Sequence, residues 1–192
     1  MEKVVAPIEI YTEMTPNPAG LKFVTNRMLL QNNSVDFREV REASKSPFAT
    51  GLFTFPFVHG VFISNNFVTV TKDMQHEWHD IIPQIKHFIK DWLNEENEIV
   101  EEGALLNPTE AGEENTEVEA QIIELLNNYV RPAVENDGGA IQFKSYKDGV
   151  VNLVMQGACS GCPSSTITLK AGIEGLLKRM VPEVQEVVAE EG

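Results

Sequence analysis

The stretch NDGGAIQFKSYKDGVVNLVMQGACSGCP, running from Asn136 to Pro163, holds a sharp turn, two strands and a loop carrying both of the chain's cysteines. Asn136-Asp137-Gly138-Gly139 supplies the turn. Ala140 to Tyr146 and Val150 to Gln156 read as strands joined around Lys147-Asp148-Gly149, a hairpin signal because Asp and Gly tolerate positive φ. After the cysteines, a helix beginning near Pro163 presents Ile167, Leu169, Ile173, Leu176, Leu177 and Met180 as its apolar face, and Val184 to Val188 is a last strand. Upstream, Val118, Ile122, Leu125, Leu126 and Tyr129 recur at helical spacing, with Thr116 as N-cap and Glu119 completing a capping box. Arg131-Pro132 interrupts or kinks that helix. The element order is therefore α-β-β-α-β.

Within the loop, Gly157-Ala158-Cys159-Ser160-Gly161-Cys162-Pro163 sets two thiols three positions apart, so they can converge on one small point. Two sulfurs are half of what tetrahedral zinc or a cubane iron–sulfur cluster takes, about four protein ligands. The spacing leaves three readings open: a redox disulfide, a site completed by other ligand types, or a site shared between two copies across a two-fold axis. Pro163 has a preset φ and, with Ser164 or Ser165, starts a helix whose positive end faces the thiols, which favours thiolate. Gly157 and Gly161 let backbone N–H groups approach an anionic ligand.

An acidic segment separates this half from the rest. Between Asn94 and Glu119 lie ten acidic residues and no Lys or Arg; outside it 19 acidic residues face 15 basic ones, so the net −14 shrinks to −4. Such a segment has too little apolar surface to offset its ordering entropy and reads as a linker. The division is residues 1–94 as a first domain, 95–115 as a flexible linker and 116–192 as a second domain.

In the first domain, Ile8-Glu9-Ile10-Tyr11, Leu21-Lys22-Phe23-Val24 and Met28-Leu29-Leu30 read as short strands, with Thr15-Pro16-Asn17-Pro18-Ala19-Gly20 as a connecting loop. Val58 to Ile63 and Phe67 to Thr71 form a hairpin. Trp78, Ile81, Ile85, Phe88 and Trp92 recur at helical spacing, with Ile82 and Ile89 widening the stripe and Pro83 in an early turn or at a kink. The fold class is α+β: two small α+β domains joined by an acidic linker.

Composition narrows the chemistry. With 42% apolar residues the chain can bury a core, and no run approaches the roughly 18 consecutive apolar residues of a membrane span. Nucleic-acid binding is disfavoured, since no basic stripe exists to replace phosphate counterions. Met1-Glu2-Lys3-Val4-Val5 lacks the features of a leader, so the expectation is a cytoplasmic protein, with a processed mitochondrial or plastid protein as the alternative. Two cysteines do not make a secreted disulfide scaffold; in a reducing compartment a close pair points to metal binding or redox activity. There is no phosphate-cradling G-x-x-x-x-G-K-[ST], no G-x-S-x-G elbow and no H-E-x-x-H, and the chain is not expected to be an enzyme. Ser164, Ser165 and Thr166 read as helix-start residues, Asp137 as a turn former and Arg131 as a surface or cap-binding cation.

The run from Asp137-Gly138-Gly139 through the hairpin to Cys159-Ser160-Gly161-Cys162-Pro163 resembles the C-terminal domain of Nfu/NifU-type iron–sulfur carriers. The first half resembles the N-terminal domain of the two-domain members through Thr15-Pro16-Asn17-Pro18, Leu21-Lys22-Phe23, Ser46-Pro47, Leu52-Phe53, Phe67-Val68-Thr69-Val70-Thr71-Lys72 and Trp78. The resemblance implies a carrier whose Cys159 and Cys162 ligate a [4Fe–4S] cluster shared with the same pair of a second subunit; the sequence leaves open whether [2Fe–2S] is also held. The resemblance also implies cluster-dependent homodimerisation, iron–sulfur assembly proteins and apo-protein clients as partners, and a first domain that docks them.

The competing reading is a Cys-x-x-Cys thiol–disulfide protein. A thioredoxin-like arrangement also sets such a pair between strand and helix, but 30 residues after Cys162 are too few for the rest of that fold. A zinc site completed by histidine would need His59, His76, His79 or His87, all in the other half and read as surface or partly buried side chains.

Overall fold

The computed structural model describes residues 6–31, 33–101, 116–158 and 163–191. The chain divides into two compact units, one of Met1–Glu13 with Leu21–Leu105 and one of Met14–Gly20 with Leu106–Gly192.

The first sheet has five strands in the order β1-β2-β5-β4-β3: β1 Ile10–Met14, β2 Gly20–Thr25, β3 Ser34–Phe37, β4 Val58–Ser64 and β5 Phe67–Lys72. β4 and β5 form the expected antiparallel hairpin, closing from Ser64 to Phe67 across Asn65, whose φ is 43°; Asn is among the few residues that visit this region at low cost. One expected strand is not formed, and a strand forms where none was expected. Met28-Leu29-Leu30 is no strand: the Leu29 and Leu30 N–H groups both donate to the Asn65 carbonyl, at 2.6 and 2.9 Å, and bury the two leucines in a bend. The strand is Ser34–Phe37, which pairs antiparallel with β4 and has weak alternation of its own.

Helix α1, Pro47–Leu52, went unread because it has only six residues. Its Ser46 N-cap accepts from the Ala49 N–H at 3.1 Å, and Pro47 occupies the first turn, where a missing N–H costs nothing. Helix α2, Trp78–Asn94, buries Ile81, Ile85 and Ile89 on the core and leaves Trp78, Ile82, Phe88 and Trp92 half-buried beside them. Pro83 lies in its second turn and deprives the His79 carbonyl of a partner, yet the helix runs on to Asn94. Where the linker was expected from residue 95, residues 95–101 still close on this unit: Val100 is buried, Ser46 Oγ donates to the Ile99 carbonyl and the Glu101 N–H to the Lys45 carbonyl. The remainder of that segment, 102–115, lies outside the described residues.

The second unit follows the expected order α-β-β-α-β. Helix α3, Glu117–Leu125, opens with the anticipated capping box between Thr116 and Glu119. It passes through a π-helical turn, Leu126–Val130, into α4, Arg131–Asn136. The wide turn sits just ahead of Pro132, which has no N–H for the Asn128 carbonyl and would crowd it in a regular helix. Tyr129, placed on the buried stripe by α-helical spacing, is consequently 63% exposed.

Strands β6, Gly139–Lys147, and β7, Val150–Gly157, pair antiparallel around Asp148 and Gly149, both at positive φ as a tight twisted hairpin requires. Helix α5, Pro163–Met180, carries the chain over to β8, Glu186–Glu191, which lies parallel to β7 in the order β6-β7-β8. Leu153, Met155, Val151 and Val187 from the sheet pack on Ile122, Val134, Ile173 and Leu177 from the helices. Ile167 and Met180, expected on the buried face of α5, are exposed: Ile167 lies about 120° round the helix from Ile173, and Met180 is the final residue.

Candidate metal centre

The two cysteines fall between the end of β7 and the start of α5. Gly157, the last residue of β7, stands opposite Gly139, the first of β6, and takes φ 68° to turn the chain out of the sheet. Ala158 is fully buried, and its N–H donates to the Gly138 carbonyl at 3.2 Å. Gly138 itself has φ 82°, so both glycine turns close on each other and fix where the loop departs. Cys159 and Cys162 lie outside the described residues, as do Ser160 and Gly161. On the far side, α5 begins at Pro163, and the N-terminal end of a helix carries partial positive charge. This frame suits thiolate chemistry: a short bridge between a strand end and the positive end of a helix.

The other residues singled out by sequence fall elsewhere. Asp137 caps α4, its N–H donating to the Ala133 carbonyl at 3.1 Å, which is a turn-forming role. Arg131 opens α4. His76 Nδ1 lies 2.9 Å from both oxygens of Asp73, His79 is paired with Asp80 at 2.9 Å and His87 with Asp91 at 3.1 Å. The hydrogen bond from His76 holds the Asp73 carboxyl below the usual carboxylate range. Among the described residues no group of three or more His, Cys, Asp or Glu side chains is placed to hold a metal ion, and no helix is long and apolar enough to cross a membrane. The contact between Ala158 and Gly138 escaped sequence reading; its signal was the pair of glycine-containing turns at the open end of one hairpin.

A small α+β domain with a two-cysteine loop between its second strand and second helix is a NifU-like arrangement, and residues 122–188 match the family described as the NifU-like domain. Residues 10–96 match the family described as the scaffold protein Nfu/NifU N terminal. Relatives matched over most of this chain agree: the chain is 41% identical over 180 residues to the human "NFU1 iron-sulfur cluster scaffold homolog, mitochondrial", covering 93% of this chain and 70% of that one. It is 41% identical over 179 residues to the protein of the same name from Drosophila willistoni, covering 93% and 62%. It is 40% identical over 185 residues to "NifU-like protein 4, mitochondrial" from Arabidopsis thaliana, covering 94% and 65%. The chain belongs to the Nfu/NifU family, in its two-domain form. It spans roughly two thirds of the length of these relatives. Their names overturn the cytoplasmic expectation, since all three are called mitochondrial.

Proposed function

We propose that this protein carries an iron–sulfur cluster as cargo and passes it to apo-proteins, and that it does so in mitochondria. Cys159 and Cys162 of one copy and the same pair of a second copy supply the four thiolates that a [4Fe–4S] cluster takes; [2Fe–2S] is a second cargo for the same donors. The observation that carries this reading is the family membership of a chain whose only two cysteines fall between β7 and the N-terminus of α5. A donor set split between copies suits release, because loss of one copy withdraws half of the ligands and opens iron positions to a client's thiolates. Binding, dimerisation and transfer are then linked. The role is that of a carrier rather than a catalyst, with assembly proteins upstream, apo-proteins downstream and the first unit as their docking module.

The test is anaerobic reconstitution with iron and sulfide, followed by iron, acid-labile sulfide and molecular mass in solution. About four iron and four sulfide per two chains, with conversion of monomer to dimer, is the expected result. A colourless, iron-free sample with both thiols reduced would end the carrier reading. A reversible internal disulfide with no metal would favour the redox protein, and a cluster held by a monomer would refute the shared site alone.

A further inference from the structure

The first unit carries an apolar groove of about 470 Å³ that its described residues leave open. Its floor is aromatic. Phe88 and Trp92, one helical turn apart on α2, have ring centroids 5.4 Å apart, and Phe55 meets Phe88 edge-on at 5.8 Å. Phe48 backs both α2 rings from the core at 5.7 and 5.8 Å, and Trp92 Nε1 donates to the Glu98 carbonyl, so the floor is rigid. The rim is acidic: Asp91, paired with His87, and Glu95, which accepts from Asn97 Nδ2 at 2.8 Å. No described Lys or Arg lines it.

Aromatic faces bind other rings by offset or edge contact and attract cations, and carboxylates beside them add to that attraction. We propose that this groove docks a partner segment presenting one aromatic side chain next to Lys or Arg. Charge selects this occupant over a second copy of the chain, whose net charge is −14 and whose own sequence after the groove runs Glu95, Glu96, Glu98, Glu101. The inference rests on the reading of the first unit as a docking module and names the surface and chemistry it uses.

The test uses the full apo chain labelled with ¹⁵N-tryptophan, whose two indole N–H signals belong to Trp78 and Trp92. End-blocked peptides of sequence GKFKG, GEFEG and GKSKG are titrated in. The groove predicts a saturable shift of the Trp92 signal with GKFKG, and binding of the other two weaker by at least about fivefold. The double variant Asp91→Lys, Glu95→Lys should weaken GKFKG by about tenfold; both changes put cations at the C-terminal end of α2, where the helix dipole favours them. No saturable shift, equal binding of GEFEG, or a Trp92 shift driven by protein concentration alone would overturn the proposal, the last by assigning the groove to a second copy. Iron and sulfide content after a separate anaerobic reconstitution separates the two readings: a chain that takes up a cluster but whose apo form leaves Trp92 silent with GKFKG ends docking alone, and a chain that stays iron-free after reconstitution yet binds GKFKG ends carriage alone.

Discussion

Gly139 and Gly157 are paired across the β6–β7 ladder, so the turn that precedes the first strand and the cysteine loop that follows the second are held side by side. The Ala158 N–H on the Gly138 carbonyl locks that junction. The chain entering the thiol-bearing segment is thus anchored through backbone hydrogen bonding.

Gly157→Ala tests the anchor. At φ 68° a Cβ costs about 1–2 kcal/mol, so the midpoint of chemical denaturation of the second unit should fall accordingly. The variant should also retain less iron after reconstitution, because relief of the strain redirects the loop. Unchanged iron retention together with unchanged stability would contradict the anchoring role.

Cys159→Ser and Cys162→Ser should each abolish both visible absorption and dimerisation on reconstitution, since either leaves two sulfurs per dimer where a cubane takes four. Circular dichroism of the apo variants should match the parent. Absorption retained by a single variant at parental intensity would speak against a four-thiolate site.

Glu174 links α5 to β8: its carboxylate accepts from Lys178 Nζ and, at 3.1 Å, from the Val187 N–H. The hydrogen bond from Lys178, then that from Val187, holds its pKa below the ordinary carboxylate value. A lowered folded pKa means stability that is present above the unfolded pKa and is lost as pH falls through the folded one. Glu174→Gln should therefore melt lower than the parent at neutral pH, and the two curves should converge in acid. Salt should shrink the neutral-pH gap, as this pair is solvent-reachable. A gap independent of pH would assign the effect to packing instead.

Gly51 in α1 faces the aromatic cluster, and a Cβ built there would lie 2.6 Å from Phe88 Cζ and 3.4 Å from Trp92 Cζ3. Gly51→Ala should displace the Phe88 ring, cost about 1–3 kcal/mol through overpacking and change Trp92 fluorescence, while leaving reconstitution of the cysteine site unaffected. A variant as stable as the parent with an unaltered emission spectrum would show that the ring moves freely.

Local chemistry accounts for what was legible from residues alone. The capping box at Thr116 and Glu119, the Asp148-Gly149 turn, the α2 stripe and the β4–β5 hairpin are each encoded within a few positions, by periodicity or by tolerance of positive φ. The same holds for the two cysteines, whose number states that one chain brings two thiols and whose spacing sets them three positions apart. Tertiary structure decided the remainder. Ser34–Phe37 is a strand because β4 offers it an edge, and Leu29 and Leu30 are a bend because Asn65 accepts both of their N–H groups. The π turn before Pro132 rotates Tyr129 outward against its spacing. The approach of Ala158 to Gly138, and of Phe88 and Trp92 to Gly51, joins residues far apart in the chain. Short-range rules resolve conformations that a few neighbouring residues determine; pairing, register and ring packing depend on which distant surface arrives, and only the folded chain specifies that.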